Sequence, residues 1–209
     1  PYQWTKQVAS HWGGTRNATV VHWPNGIKAK GELRSQFTHV IDVAPTVLEA
    51  AKLPQPVSVN GIQQDRIEGT SMLYSFDNAK APEQHDVQYF EIMGNRAIYY
   101  KGWSAVSKHY TPWINTKRPA FDDDVWELYD TTRDWTQAHD LAKENPAKLE
   151  ELKRLFLIEA GKYSALPLDD RTFERFNADL AGRPQLIKGK SQILFGGMGR
   201  LSESSIVNI

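Results

Sequence analysis

The apolar positions of this chain change their spacing twice, and the changes divide it into three parts. In the first, Ala18-Thr19-Val20-Val21-His22-Trp23 is a short β-branched and apolar run stopped by Pro24-Asn25-Gly26. That pattern predicts a buried strand followed by a turn. Phe37-Thr38-His39-Val40-Ile41 then leads into Asp42, a good N-cap, with Pro45 tolerated in the first helical turn. Val43, Val47, Ala50 and Ala51 share one helical face, and Pro54 ends the helix. Residues 57–68 read as loop, and Gly69-Thr70-Ser71-Met72-Leu73 opens a short apolar segment. Strand, connection and helix in this order are the grammar of an α/β layered domain.

In the second part the runs become short and aromatic: Val87-Gln88-Tyr89-Phe90-Glu91-Ile92, Arg96-Ala97-Ile98-Tyr99-Tyr100, Trp103-Ser104-Ala105-Val106 and Trp126-Glu127-Leu128-Tyr129. Gly94-Asn95 and Lys101-Gly102 separate the first three, so an antiparallel meander is expected. A helix follows, capped by Asn145 with Pro146 at its first position, and Leu149, Leu152, Phe156 and Tyr163 recur along it at helical spacing. Such a helix packs on one face of the sheet. Beyond Tyr163 the pattern loosens. Leu166-Pro167-Leu168-Asp169-Asp170-Arg171 reads as a turn-rich linker, and Ile193-Leu194-Phe195, Gly196-Gly197 and Ile206-Val207-Asn208-Ile209 as the opening strands of a further module.

Composition narrows the picture mainly by exclusion. Lys plus Arg and Asp plus Glu number 25 each, so no net field draws nucleic acid or an anionic lipid surface. No apolar run approaches the roughly 20 residues that span a bilayer, and Pro1-Tyr2-Gln3-Trp4 is not a signal peptide. With no Cys, disulfides, thiolate metal sites and cysteine nucleophiles are excluded; the compartment stays open between a bacterial cytoplasm and periplasm. The chain opens without Met and closes on strand-like residues, so both ends read as cut.

Several stretches resemble one family. Lys6-Gln7-Val8-Ala9-Ser10-His11-Trp12-Gly13-Gly14-Thr15-Arg16 is similar to the sulfatase segment in which a lysine precedes Gly-Gly-x-Arg by a short loop. Val20-Val21-His22-Trp23-Pro24 resembles the strand and proline after it, and Asp42-Val43-Ala44-Pro45-Thr46 the Asp-x-x-Pro-Thr helix start. Gly69-Thr70-Ser71 is similar to the Gly-x-Ser turn, and Glu127-Leu128-Tyr129-Asp130 to the Glu-Leu-Tyr-Asp strand. Occurring in one order over residues 4 to about 160, these motifs identify the chain as resembling an internal or C-terminal piece of a type I sulfatase of the alkaline phosphatase-like superfamily. Pro167 to Arg171 and Arg200-Leu201-Ser202-Glu203 add a likeness to the large bacterial arylsulfatases.

The resemblance implies an α/β fold: residues 1–85 as the C-terminal portion of a mixed sheet flanked by helices, residues 86–164 as a small antiparallel sheet with one packed helix, and residues 165–209 as a linker and truncated module. It implies hydrolysis of sulfate monoesters of aryl or small alkyl alcohols by a formylglycine nucleophile and a divalent cation, usually Ca2+. Nucleophile and metal ligands fall outside this sequence, so no metal site is assigned here and the piece alone is expected to be inactive. Lys6 matches the family lysine that contacts a sulfate oxygen, a task suited to a compact ammonium. His11 is a substrate-binding candidate, although packing beside Trp12 is the plainer role. His22 and His39 read as structural histidines, Gly13-Gly14 as a tight turn, and Arg16 as an anchor for that turn through carboxylate or carbonyl contacts. Asp122-Asp123-Asp124 lacks the alternate spacing of a calcium loop and reads as a solvated run. The Asp169-Asp170-Arg171 run is expected to be a surface turn with local ion pairing.

Two other readings stand beside this one. The same tetrahedral pocket could take a phosphonate or phosphate ester. Alternatively, Tyr89, Phe90, Tyr99, Tyr100, Trp103, Trp113 and Trp126 could form a non-catalytic binding surface, to be distinguished by their exposure. The expected partners are a small sulfate ester and the missing N-terminal half or a companion chain, which would cover exposed core and sheet edges.

Overall fold

The short aromatic and β-branched runs within residues 87–130 pair into a four-stranded antiparallel sheet that carries the main core. The computed structural model describes residues 1–114 and 117–171, with the strand segments Gln192–Ile193 and Ile206–Val207. In chain order the elements are a one-turn helix α1 (Trp12–Thr15), a 3-10 turn Val40–Asp42 running into α2 (Val43–Ala50), and a hairpin of β1 (Ser58–Val59) and β2 (Ile62–Gln63). A 3-10 turn at Leu73–Ser75 precedes the meander β3 (Val87–Ile92), β4 (Asn95–Tyr100), β5 (Trp103–Ser107) and β6 (Glu127–Asp130), which α3 (Pro146–Lys162) follows. Gln192–Ile193 and Ile206–Val207 pair antiparallel; the other residues of the expected extra module lie outside the described residues.

The four strands lie in sequence order, each antiparallel to the next. Their register aligns Tyr89 with Ile98, Ile98 with Ala105, and Ala105 with Leu128, one apolar row across the sheet. Leu152, Phe156 and Ala160 of α3 close over that row, with Tyr89 and Trp126 edge-on to Phe156. Fully burying a Leu or Phe side chain stabilises by about 1.5–3 kcal/mol, so this layer is the main core. The other face presents Phe90, Ala97, Val106 and Tyr129. It is covered from the N-terminal side: Phe37 stacks on Tyr99 at 3.8 Å between ring centroids, and His11 lies edge-on to Tyr129. The class is therefore α/β, with a helix on one face of an antiparallel sheet and irregular chain on the other.

Several local expectations are corrected. Residues 18–23 form no strand: Val20 is 93% and Val21 46% exposed, His22 is exposed too, and no described strand lies alongside to complete their backbone hydrogen bonds. The apolar stripe of α2 is also open to solvent at Val43 and Val47. Residues 57–68 are not all loop, since Asn60 and Gly61 take positive φ values of 51° and 80° and turn β1 into β2, as Asn-Gly turns do. Asn145 occupies the cap position of α3 but its side chain donates to the Leu141 carbonyl instead of capping.

Candidate functional site

Lys6 sits at the tip of a loop that returns on itself. The Val8 amide donates to the Thr5 carbonyl at 3.2 Å, and Trp4 and Gln7 flank the tip with φ of 64° and 71°. Those left-handed conformations cost non-glycine residues energy, so the surroundings must hold them. The loop lies directly on α1: Gly13 donates to the Gln3 carbonyl at 3.0 Å, and a Cβ on Gly13 or Gly14 would fall 2.1 Å from the Trp4 oxygen or 2.0 Å from the Val8 oxygen. The Gly-Gly pair therefore serves close backbone approach, which only glycine allows, and α1 carries the turn expected there. Lys6 is exposed and has no ion pair among the described residues.

Three buried polar side chains fasten this segment to the sheet. Gln137, fully buried, accepts the Trp12 amide at 2.8 Å, receives the Gln3 side chain at its backbone carbonyl, and reaches the Ser104 hydroxyl. Asn95, fully buried at the start of β4, donates to the Gln7 carbonyl at 3.4 Å and accepts the His109 amide at 3.0 Å. His11 is 1% exposed, with Nε2 at 3.1 Å from the Glu127 carboxylate and Nδ1 at 3.0 Å from the Ser10 hydroxyl. The Tyr129 hydroxyl donates to the same Glu127 oxygen. The hydrogen bond with His11 holds Glu127 below its ordinary range, against the opposing effect of burial. These groups leave His11 facing the sheet and Lys6 facing solvent. Arg16 stacks over Trp12 at 4.2 Å and over Tyr2 at 5.5 Å, so aromatic faces anchor it in place of the expected carboxylate or carbonyl contacts.

A second cluster explains the Asp-x-x-Pro-Thr and Gly-x-Ser motifs. Asp42 is wholly buried and accepts the His39 amide at 2.7 Å, the Thr70 amide at 2.8 Å and His85 Nδ1 at 2.8 Å. Thr46 donates to the Asp42 carbonyl and accepts the Met72 amide at 2.8 Å. Asp42 thus ties the start of α2 to the Gly-Thr-Ser turn, where a Cβ on Gly69 would meet the Ile41 oxygen at 2.1 Å. Burial alone would raise the Asp42 pKa, but these donors hold it below the ordinary carboxylate value; His85 is raised by the same contact against its own burial. His39, by contrast, is lowered, first by burial and then by the nearby His85.

A third cluster corrects the acidic run. Asp122 and Asp123 are exposed, but the Asp124 side chain is 2% exposed, paired with Arg96 at 2.6 Å and with His109 Nδ1 at 2.8 Å. His109 Nε2 lies 3.4 Å from Asp170, so that residue is tied to the sheet, while Asp169 pairs locally with Arg171 at 2.9 Å. None of these three clusters is visible from spacing, because each joins residues far apart in the chain; Asn95 and Gln7 are 88 positions apart. Of the aromatic set proposed as a surface, Trp113 is exposed while Tyr99 is buried and the others are partly covered. Among the described residues no three His, Asp or Glu side chains group as a metal ion would need, and the sequence has no Cys, and no Ser in a Ser-x-Pro-x-Arg stretch, to become a formylglycine. The residues present do not fit either group. No described helix is long and apolar enough to cross a membrane.

The fold has counterparts among solved structures. A Bacteroides thetaiotaomicron chain designated a 6S-sulf, from work on the metabolism of multiple glycosaminoglycans, superposes with a TM-score of 0.53 at 21% identity, over 75% of this chain and 31% of that one. Ps i-CgsB in complex with a neocarrahexaose gives 0.53 at 24% identity, over 85% of this chain and 36% of that one. An uncharacterized sulfatase of Schizosaccharomyces pombe is 30% identical over 149 residues, 70% of this chain and 25% of the relative. Residues 4–156 match the model of the N-sulphoglucosamine sulphohydrolase C-terminal family, and the chain belongs to that family. It spans about a quarter to a third of the length of these relatives.

Proposed function

We propose that this chain is the C-terminal part of a sulfatase that hydrolyses sulfate esters, and that Lys6 is its contribution to the sulfate pocket. The observation that carries the reading is the family match over residues 4–156, which includes the Lys6 loop, combined with an exposed, unpaired ammonium at the tip of a loop clamped by buried side chains. A cation held in place before charge develops on an oxygen stabilises that charge without reorganisation. Formylglycine and a divalent cation such as Ca2+ belong to the reading only as groups supplied by sequence beyond this one, and no step of the chemistry is assigned to residues here beyond the Lys6 contact. The exposed apolar positions at Val20, Leu33, Val40 and Val47 fit the same reading, in which the rest of the sulfatase chain covers them.

For the alcohol part, aryl or small alkyl groups follow from the sequence resemblance, whereas the similar proteins are named for sulfated or oligomeric sugars. The sugar reading is the better supported. The domain division at about residues 85 and 164 is retained in the proposal, with residues 1–16 packed onto the small sheet. Sulfate release from a sulfated hexosamine, an aryl sulfate and a matched phosphate monoester by the full-length chain tests it. The proposal expects the highest kcat/KM on the sulfated sugar and none from residues 1–209 alone. A preference for the phosphate ester would overturn it.

A further inference from the structure

A second lysine is set beside the Lys6 loop, and none of the motifs includes it. Lys108 follows the last residue of β5, and its Nζ lies 4.4 Å from the centre of the Trp4 ring, two residues before Lys6. The same Asn95 side chain that donates to the carbonyl of Gln7, the neighbour of Lys6, accepts the amide of His109, the neighbour of Lys108. One buried amide therefore sets the backbones that carry the two lysines next to each other. Lys108 is half-buried and forms no salt bridge among the described residues; Asp124, whose field reaches it, is bonded to Arg96 and His109. Burial holds its pKa below the ordinary lysine value against the weaker attraction of Asp124, so the ammonium stands partly stripped of water and only partly compensated. The Trp4 ring supplies a cation–π contact that fixes the side chain but brings no negative charge of its own. An oriented, partly desolvated cation with no salt bridge among the described residues is what an anionic group on a bound ligand would complete.

Resting on the reading of Lys6 as a sulfate contact, we infer that Lys108 is a specificity-determining residue that binds a second anionic group, sulfate or carboxylate, on a substrate whose scissile sulfate lies at Lys6. Lys6 serves every substrate; Lys108 selects those carrying two negative charges within one sugar unit or its neighbour. The partner chemistry is a multiply anionic saccharide.

Calorimetric titration of the full-length chain with two probes tests this: N-acetylglucosamine 6-sulfate, and the same sugar with an N-sulfate in place of the acetyl group. The disulfated probe is expected to bind about tenfold more tightly, the scale of one charge-assisted contact. Lys108→Ala should erase that preference and Lys108→Arg should keep most of it. Lys6→Ala should weaken both probes alike. Equal affinity of the two probes in the unmodified protein, failure to bind either, or a preference that survives Lys108→Ala would overturn the inference. If Lys6→Ala leaves both affinities unchanged while the preference still depends on Lys108, the Lys6 reading fails and the second anion site stands. Thermal midpoints of the variants, expected within a few degrees of the parent because Lys108 is half-exposed, separate lost binding from lost folding.

Discussion

The sheet with α3 and the region of residues 18–63 are similarly supplied with apolar residues, yet they solve the problem of covering them in opposite ways. In the first, Ile98, Ala105, Leu128 and Leu152 are wholly buried, and irregular chain carrying His11 and Phe37 lies on the second face of the sheet. In the second, Val20, Leu33, Val40, Val57 and Ile62 are each at least 68% exposed. Apolarity in the sequence is the same signal in both regions; only the presence of a covering layer differs. A residue pattern specifies that a face is to be buried, not which segment buries it. The sheet and the helix that covers its first face lie together within residues 87–162, and the other region awaits cover from elsewhere on the proposal made above.

The contrast can be broken by substitution, and the largest effect belongs to the packed layer. Phe156→Ala should destabilise the protein by about 3–5 kcal/mol, read as a lower urea midpoint, because it opens a cavity between α3 and the sheet. A smaller loss, about 1–3 kcal/mol, is expected for Gly14→Ala, whose new Cβ would press on the Val8 oxygen and displace the Lys6 loop. In thermal melts of this chain, Val40→Ser should stay within about 0.5 kcal/mol of the parent, as an exposed position does. In the full-length chain the same change should cost more, and equal small effects in both contexts would remove the contrast.

A pH series sharpens the account at the junction of the two regions, where Asp42 and His85 meet. The folded pKa of Asp42 lies below 3.8, so its share of stability is present above that value and is lost as pH falls through the folded value. The folded pKa of His85 lies above 6.5, so its share is full below 6.5 and is lost as pH rises through the folded value. The link is therefore strongest between those limits. His85→Gln should flatten the decline of the thermal midpoint above pH 6.5, and an unaltered slope would show that the pair does not titrate with folding.

The meander and α3 were legible because short aromatic runs split by Gly94-Asn95 and Lys101-Gly102, and Pro146 at a helix start, are local signals, and their bounds fell within a residue or two of expectation. The β1–β2 hairpin was not, although Asn60-Gly61 is the stronger turn signal, because its strands are only two residues long. Residues 18–23 were misread because a β-branched run forms a strand only where another strand accepts its hydrogen bonds. Of the site, the motif around Lys6 was readable as a resemblance, while its supports were not. Asn95 beside Gly94 looks like a turn residue, Gln137 like surface, and Asp124 like part of a solvated run; each is buried through a partner distant in sequence. Lys108 carries no local signal at all, since its meaning depends on Trp4 lying across the sheet end.

The most direct measurement is kcat/KM for a sulfate ester on the full-length chain with Lys6→Ala, taken together with its thermal midpoint. Loss of one preorganised cation at the reacting group should lower kcat/KM by about 100-fold or more while the midpoint stays put, since Lys6 is exposed and has no ion pair among the described residues. Kinetics equal to the parent enzyme would contradict the account.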